Sequence, residues 1–324
     1  MTADAPDAVA QLATRHRLHW AEALPWIVAI AGYFVFPGYL ALGAQILASI
    51  IYGLSIDLAL GYGGIVTLGQ AAFFGTGAYT AGLLAAHGVG APLVGLAAAA
   101  LAAAAVGAMS GVFVLRVRGL AQLMATLMVA VMLQSAADKA SSITGGADGL
   151  QNMAVGPVLG RFAFDLYGRT AYLYALAVLF LCWAAMRTLV HAPFGRSLVG
   201  MRENEARMHA IGAPVFRRRL TAYAISAALA GVSGALYAQS TGFVAPDSLG
   251  FDRSGNILVM LLLGGVGRLY GAFVGVPLFM IAQDRLSDLD PAYWYFWIGL
   301  LLVLMVRFAR GGILGVVARL RGQE

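Results

Sequence analysis

The sequence predicts an all-α integral membrane protein: a polytopic helical bundle of about 8–10 transmembrane helices, some broken or re-entrant, with both termini cytoplasmic. Three observations predict this. Hydrophobic residues make up 60% of the chain and charged residues only 11%, whereas soluble domains carry about 45–50% apolar and about 25% charged residues. Apolar runs recur at close to the roughly 20 residues that one helix needs to cross the hydrocarbon layer. The arginines, which with the lone lysine Lys139 give a net charge of +6, fall between those runs and concentrate in alternate gaps, as the positive-inside tendency requires.

The N-terminal segment 1–22 carries Asp4, Asp7, Arg15, His16, Arg17 and His19 with no apolar stretch long enough for a signal-peptide core. It is expected to stay cytoplasmic. The first span is expected over 23–43, and further runs follow at 44–60, 65–86, 91–115, 120–137, 170–190 and 219–240. The next apolar stretch, 255–283, is interrupted by Gly264, Gly265, Gly267 and Arg268. It reads either as two short crossings or as one re-entrant hairpin. A last run covers 292–309, and 311–324 is expected to be a cytoplasmic tail; 23–310 thus forms one transmembrane domain. With the N-terminus inside, Arg116 and Arg118, the block 187–219 and the tail all face the cytoplasm, while 138–168 and 241–254 face outward.

Small residues repeat every four positions at Ser226, Ala230, Gly234 and Ala238, at Gly107 and Gly111, and at Gly271 and Gly275. Such spacing lets helix backbones approach closely, which is sufficient to explain it. The 41 glycines also predict kinks, and irregular backbone at membrane depth is tolerated only where it is buried or lines a cavity.

The residues exclude several functions. No H-E-x-x-H or G-x-S-x-G is present, the five histidines are scattered, and Cys182 has no partner for a disulfide. No catalytic residue or metal site is expected. Lys139 follows Asp138 rather than a glycine, so a phosphate-binding loop is absent and the chain cannot be an ATPase itself. The arginines form no stripe that would track a nucleic acid.

One acid lies well inside a span. Asp57, between Leu54 and Leu60, would cost about 2.5–3.5 kcal/mol as a charge at the bilayer centre. It must therefore face a partner group or water, as part of a solute path or as an anchor to a neighbouring helix. Gly61, Tyr62, Gly63, Gly64, Thr67, Gly69 and Gln70 follow, then Phe73 and Phe74. So many glycines make a poor continuous helix, since each costs about 1 kcal/mol against alanine. The backbone freed there suits a transport pathway, as broken helices do in transporters, or a tight helix crossing. On the inside, 197–211 reads as one short helix stopped by Gly212 and Pro214. Leu198, Met201, Met208 and Ile211 fall on one face, with Glu205 at its margin and Glu203 and Arg207 outside it. The face suits either docking on a protein or resting on the lipid surface.

Four blocks then carry a resemblance. They are Gly61 to Gly64 with Leu68 to Gly75 and Gly77 to Thr80; Leu115 and Arg116 to Gly119 with Thr144, Gly145 and Gly146; Gly195 and Arg196 with Arg202, Glu203, Asn204, Glu205, Ala210, Ile211 and Gly212; and Ser226 to Gly231 with Gly234 to Ala238, Leu263 to Gly265 and Gly267. In this order, from about residue 40 to 310, the chain resembles the M-type permease subunit of bacterial branched-chain amino-acid ABC transporters. The resemblance implies a multi-pass subunit of the bacterial inner membrane that imports branched-chain amino acids, or related small polar solutes such as urea, amides or aromatic acids, by alternating access. It implies a homologous second permease, two cytoplasmic ATPase subunits that use ATP and magnesium, and a periplasmic solute-binding protein. This chain would bind no cofactor. Arg202, Glu203, Asn204, Glu205, Ala206 and Gly212 would belong to the loop 191–219 that couples to the ATPase, and Thr144, Gly145 and Gly146 to an outer loop. Asp57 stands where the family often has asparagine, Gln70 where histidine is frequent and Arg268 where a small residue is usual. The rival expectations are an ion-coupled secondary transporter with Asp57 as its coupling site, and a channel.

Overall fold

The computed structural model describes residues 22–151, 153–158, 160, 162–165 and 168–291, and beyond these 293, 296, 297, 299, 300, 303 and 311–315. All but the last residue of the expected segment 1–22, most of the run 292–309 and most of the tail lie outside the described residues. The described part is helical: α1 Leu24–Val35, α2 Leu40–Ile56 continued by a π-helical turn Asp57–Tyr62, α3 Gln70–Ala86, α4 Pro92–Val114, α5 Leu120–Lys139, the short α6 Ser141–Thr144, α7 Arg169–His191, α8 Pro193–Glu203, α9 Glu205–Ala210, α10 Val215–Thr241, α11 Phe251–Gly264 and α12 Gly271–Leu289. Five stretches among them are long and apolar enough to cross a membrane: Pro37–Tyr62, Pro92–Val114, Leu120–Lys139, Arg169–His191 and Val215–Thr241. The chain is thus a polytopic helical membrane protein.

Three boundaries differ from the sequence expectation. The runs 23–43 and 44–60 divide at Pro37 rather than near Gly43, because the proline cannot donate into α1 and a turn Pro37–Tyr39 intervenes. The 12-residue α1 is left shorter than a span. The run 65–86 becomes helix only from Gln70. The single helix expected over 197–211 is two, α8 and α9. Asn204 breaks it by taking an extended conformation and accepting the Arg207 backbone N–H on its side chain at 2.9 Å; capping the second helix outweighs continuing the first.

The stretch 255–283 resolves into α11 and α12, which pack along each other across a six-residue turn, 265–270. A Cβ at Gly275 would strike the backbone of Met260 and Gly264, and one at Gly264 the backbone of Gly271. The small residues therefore do what their spacing suggests. Likewise α10, the most extensively packed helix, lies against α3 and α4, with Gly234 on the Phe74 backbone, Gly231 on Ala99 and Gly107 on Ala227.

The loops sort into two ends. The break 61–64, the loop 116–119, the segment 191–215, the turn 265–270 and Gly312 meet at one end, as contacts of Arg202 with Gly61 and Gly64, Arg118 with Glu205, and Gly312 with Gly265 show. At the other, Leu150 and Val244 exchange backbone hydrogen bonds of 2.8 and 3.2 Å, and Gly156 donates to the Gly90 carbonyl. Arginine-rich and mixed-charge loops thus occupy opposite ends of the bundle.

Candidate functional site

The site is built around the interruption between α2 and α3. Residues 63–69 leave helical geometry, so the first N–H groups of α3 have no intrahelical acceptor. Side chains from other helices supply acceptors: the Leu68 N–H donates to Thr126 Oγ1 of α5 at 3.2 Å, and the Ala71 N–H to Ser254 Oγ of α11 at 2.8 Å. Thr67 accepts locally from Gly69 at 3.2 Å. Gln70 is fully buried and its Nε2 donates to Ser226 Oγ, which in turn donates to the Ser55 carbonyl at 2.6 Å. Phe73 meets Tyr223 edge-on at 5.3 Å, and Phe74 lies between Tyr52 and Tyr237. Of the predicted pathway residues, Asp57, Gly61, Tyr62, Gly63, Thr67, Gly69, Gln70, Phe73 and Phe74 are buried in this packing and Gly64 is half-buried. The irregular backbone is accommodated by protein contacts.

Asp57 sits at the centre of a joint. It opens the π-helical turn, is fully buried, and its Oδ1 accepts the Gly267 N–H from the α11–α12 turn at 2.6 Å. Its Oδ2 has no hydrogen-bond partner among the described residues. Gly267 presents that N–H from a left-handed conformation, φ 76°, which non-glycine residues rarely adopt. Arg202, the penultimate residue of α8, reaches in from the surface. Its guanidinium donates to the Gly61 carbonyl, and its stem packs over Gly64, where a Cβ would lie 2.8 Å from Arg202 Cγ. Its Nη1 would be 3.1 Å from a Cβ on Gly267. One side chain thereby touches both the broken end of α2 and the turn 265–270.

The remaining residues of the 191–219 loop divide by direction. Leu198 and Met201 are buried and hold α8 to the bundle. Glu205 is turned inward: its carboxylate lies 2.8 Å from Arg118, 3.6 Å from Arg219 and 3.7 Å from His209. Arg219 is itself only 8% exposed, so this acid neutralises a cation largely withdrawn from water. Glu203, Asn204, Ala206 and Gly212 are exposed, and Ile211 is 70% exposed. Glu203 forms no ion pair among the described residues. At the far end, Thr144 closes α6 by donating to the Ala137 and Ala140 carbonyls, and Gly145, Gly146 and Gly149 at positive φ turn the chain onto Val244.

Thr126, Ser254 and Arg219 were not singled out by sequence reasoning, and Ser226 only as a small residue of a packing stripe and a family block, although all four fix the break or the loop. Their signal is weak: single hydroxyls within apolar helices, and one arginine among several. Among the described residues no group of histidine, cysteine, aspartate and glutamate is placed to hold a metal ion.

Residues 38–306 match the family described as branched-chain amino acid transport system, permease component. The chain is 30% identical over 315 residues to the high-affinity branched-chain amino acid transport system permease protein LivM of Salmonella typhimurium, covering 89% of this chain and 73% of the relative. LivM of Escherichia coli K12 is similar at 30% identity with the same coverage. A more distant similarity, 32% over 154 residues covering 45% of this chain and 42% of the relative, joins it to the autoinducer 2 import system permease protein LsrC of an Enterobacter species. No solved structure matches.

Proposed function

Because the chain belongs to the branched-chain amino acid transport permease family, we propose that it is the M-type permease of an ABC importer of the bacterial inner membrane. It carries branched-chain amino acids, or related small polar solutes, from periplasm to cytoplasm. A homologous second permease, two cytoplasmic ATPases that bind ATP with magnesium, and a periplasmic binding protein complete the machine. The N-terminus, the loop 191–219 and the C-terminus face the cytoplasm, and the loops containing 144–146 and 241–250 face the periplasm. Solute passes between the two permeases beside the 57–74 segment.

The observation that carries this reading is the two-sidedness of 202–211. Arg202 points into the joint made by Gly61, Gly64 and Gly267, while Glu203, Ala206 and Ile211 point away from the bundle. Closure of the ATPase pair can bias the permease only through contacts that differ between its two states. A segment gripped outside by the ATPase and inside by the break offers such contacts. An ion-coupled transporter or a channel needs no partner on the outward face.

The test is radiolabelled leucine uptake into vesicles carrying the chain with its partners, with and without ATP. Uptake is expected only with ATP. Ile211→Asp should reduce recovery of the ATPase with the purified permease by roughly tenfold, the effect of losing an apolar anchor at an interface centre. Glu203→Ala should lower uptake without loosening the loop, whereas Glu205→Ala should release Arg219 and lower the thermal midpoint of the permease. Uptake that follows an ion gradient with no ATP requirement refutes the reading.

A further inference from the structure

We propose that Arg253 is the receptor for the carboxylate of the transported solute, in a site opened from the 241–250 end of the bundle. The inference rests on the importer reading and names a residue that no part of that reading requires.

The guanidinium of Arg253 lies in a corner made by two aromatic rings, 4.1 Å from the centroid of Phe74 and 4.2 Å from that of Tyr237, whose own centroids are 5.8 Å apart. Both rings lie to one side of the cation, so the N–H groups turned away from them remain for a carboxylate, which a guanidinium matches in a two-pronged contact. Among the described residues Arg253 makes no ion pair and no side-chain hydrogen bond. The aromatic corner is part of the interior: Phe74 is 2% exposed, and its ring packs on Tyr52 at 5.0 Å. The Tyr52 hydroxyl is buried beside Ser254 and Arg253. A cation half-withdrawn from water with no counter-ion is costly unless an anion visits it.

The depth of the site fits a solute path. Phe74 lies 12 residues before the end of α3 at Ala86, roughly 18 Å of helix. The chain 246–250 dips inward to reach this level, where Leu249 packs on Gly75. There α11 begins, with Arg253 in its first turn and Ser254 holding the start of α3. The positive end of a helix that starts within the bundle therefore adds to the field of the arginine. Burial of the Phe74 ring argues against a lipid phosphate as the anion, since a headgroup would have to leave the membrane surface to reach the guanidinium. An acidic side chain of the docked binding protein is the other source of a carboxylate, and the experiment separates it.

The complex is reconstituted with its binding protein, and ATP-driven uptake of leucine and of leucinamide, which lacks the carboxylate, is compared for wild type, Arg253→Gln and Arg253→Lys. Recovery of each variant with its partners on purification reports folding. Wild type should favour leucine. Arg253→Gln should lose about tenfold or more of leucine uptake at saturating binding protein, with Arg253→Lys between the two and the preference over leucinamide gone. The control Arg285→Gln, which removes the cation 5.3 Å from the Tyr39 ring, should retain uptake. A defect in Arg253→Gln that more binding protein restores assigns the arginine to docking and overturns the inference. So does a defect that changes with anionic lipid content alone, or unchanged leucine uptake in Arg253→Gln. If wild type imports no amino acid with ATP, the importer reading falls first and takes this inference with it.

Discussion

Arg202→Ala is expected to lower the amount of solute moved per ATP hydrolysed by about tenfold or more, because a hydrogen bond from a charged donor contributes about 1.5–3 kcal/mol. The guanidinium is the group that joins α8 to the Gly61 carbonyl and lies against Gly267. Without it, movement of the 204–212 segment reaches the break between α2 and α3 only through the packing of α8 on the bundle. Lysine should rescue only in part: its ammonium can reach one carbonyl, but it lacks the planar guanidinium whose Nη1 lies against both Gly61 and Gly267. The measurement is the ratio of leucine uptake to phosphate release in the reconstituted complex. A ratio equal to wild type would show that Arg202 is packing only.

Asp57 yields the second large effect, and two substitutions divide its roles. Asp57→Leu removes the acceptor of the Gly267 N–H, which is held in place by a turn that cannot easily redirect it. Leaving that donor unpaired costs about 1–3 kcal/mol, so the variant should show a lower thermal midpoint in detergent and lose uptake with it. Asp57→Asn keeps an oxygen for the same bond and removes the titratable charge. It should retain ATP-driven uptake within about threefold, since a neutral amide is cheaper to bury than a carboxylate. A coupling site for protons or sodium makes the opposite forecast: Asp57→Asn would abolish gradient-driven transport while the fold survived. Uptake and thermal midpoint measured on the same preparations separate the outcomes.

These two residues also show how far the sequence could be read. That Asp57 needed a partner was legible, because a charge among apolar neighbours is expensive whatever surrounds it. That the partner is the backbone of Gly267 was not, for the two are 210 positions apart and a peptide N–H leaves no mark in a sequence. Arg202 and Glu205 read alike, as charges on one amphipathic segment. In the structure Arg202 enters the joint and Glu205 neutralises Arg219 and Arg118, leaving Glu203 as the outward acid. The break at Asn204 was hidden for a related reason: asparagine prefers a cap to a helix interior, but the interior costs it only about 0.7 kcal/mol or less, and only the packing of Leu198 and Met201 fixes which turn it must end.

The sequence by itself determined that the chain is a helical membrane protein, that its arginine-rich loops share one end, that α3 is preceded by irregular backbone and that stripes of small residues are helix contacts. Each of these follows from terms that act locally: transfer of apolar side chains into hydrocarbon, the field on arginine, the conformational cost of glycine and the size of a missing Cβ. Only the tertiary structure decided what satisfies the break. Thr126, Ser254, Ser226, Gly267 and Arg202 come from four other helices and one turn. With no water in the hydrocarbon layer every freed N–H and C=O must find a protein partner, and which partner lies within 3 Å is set by how the helices pack rather than by the order in which they are written.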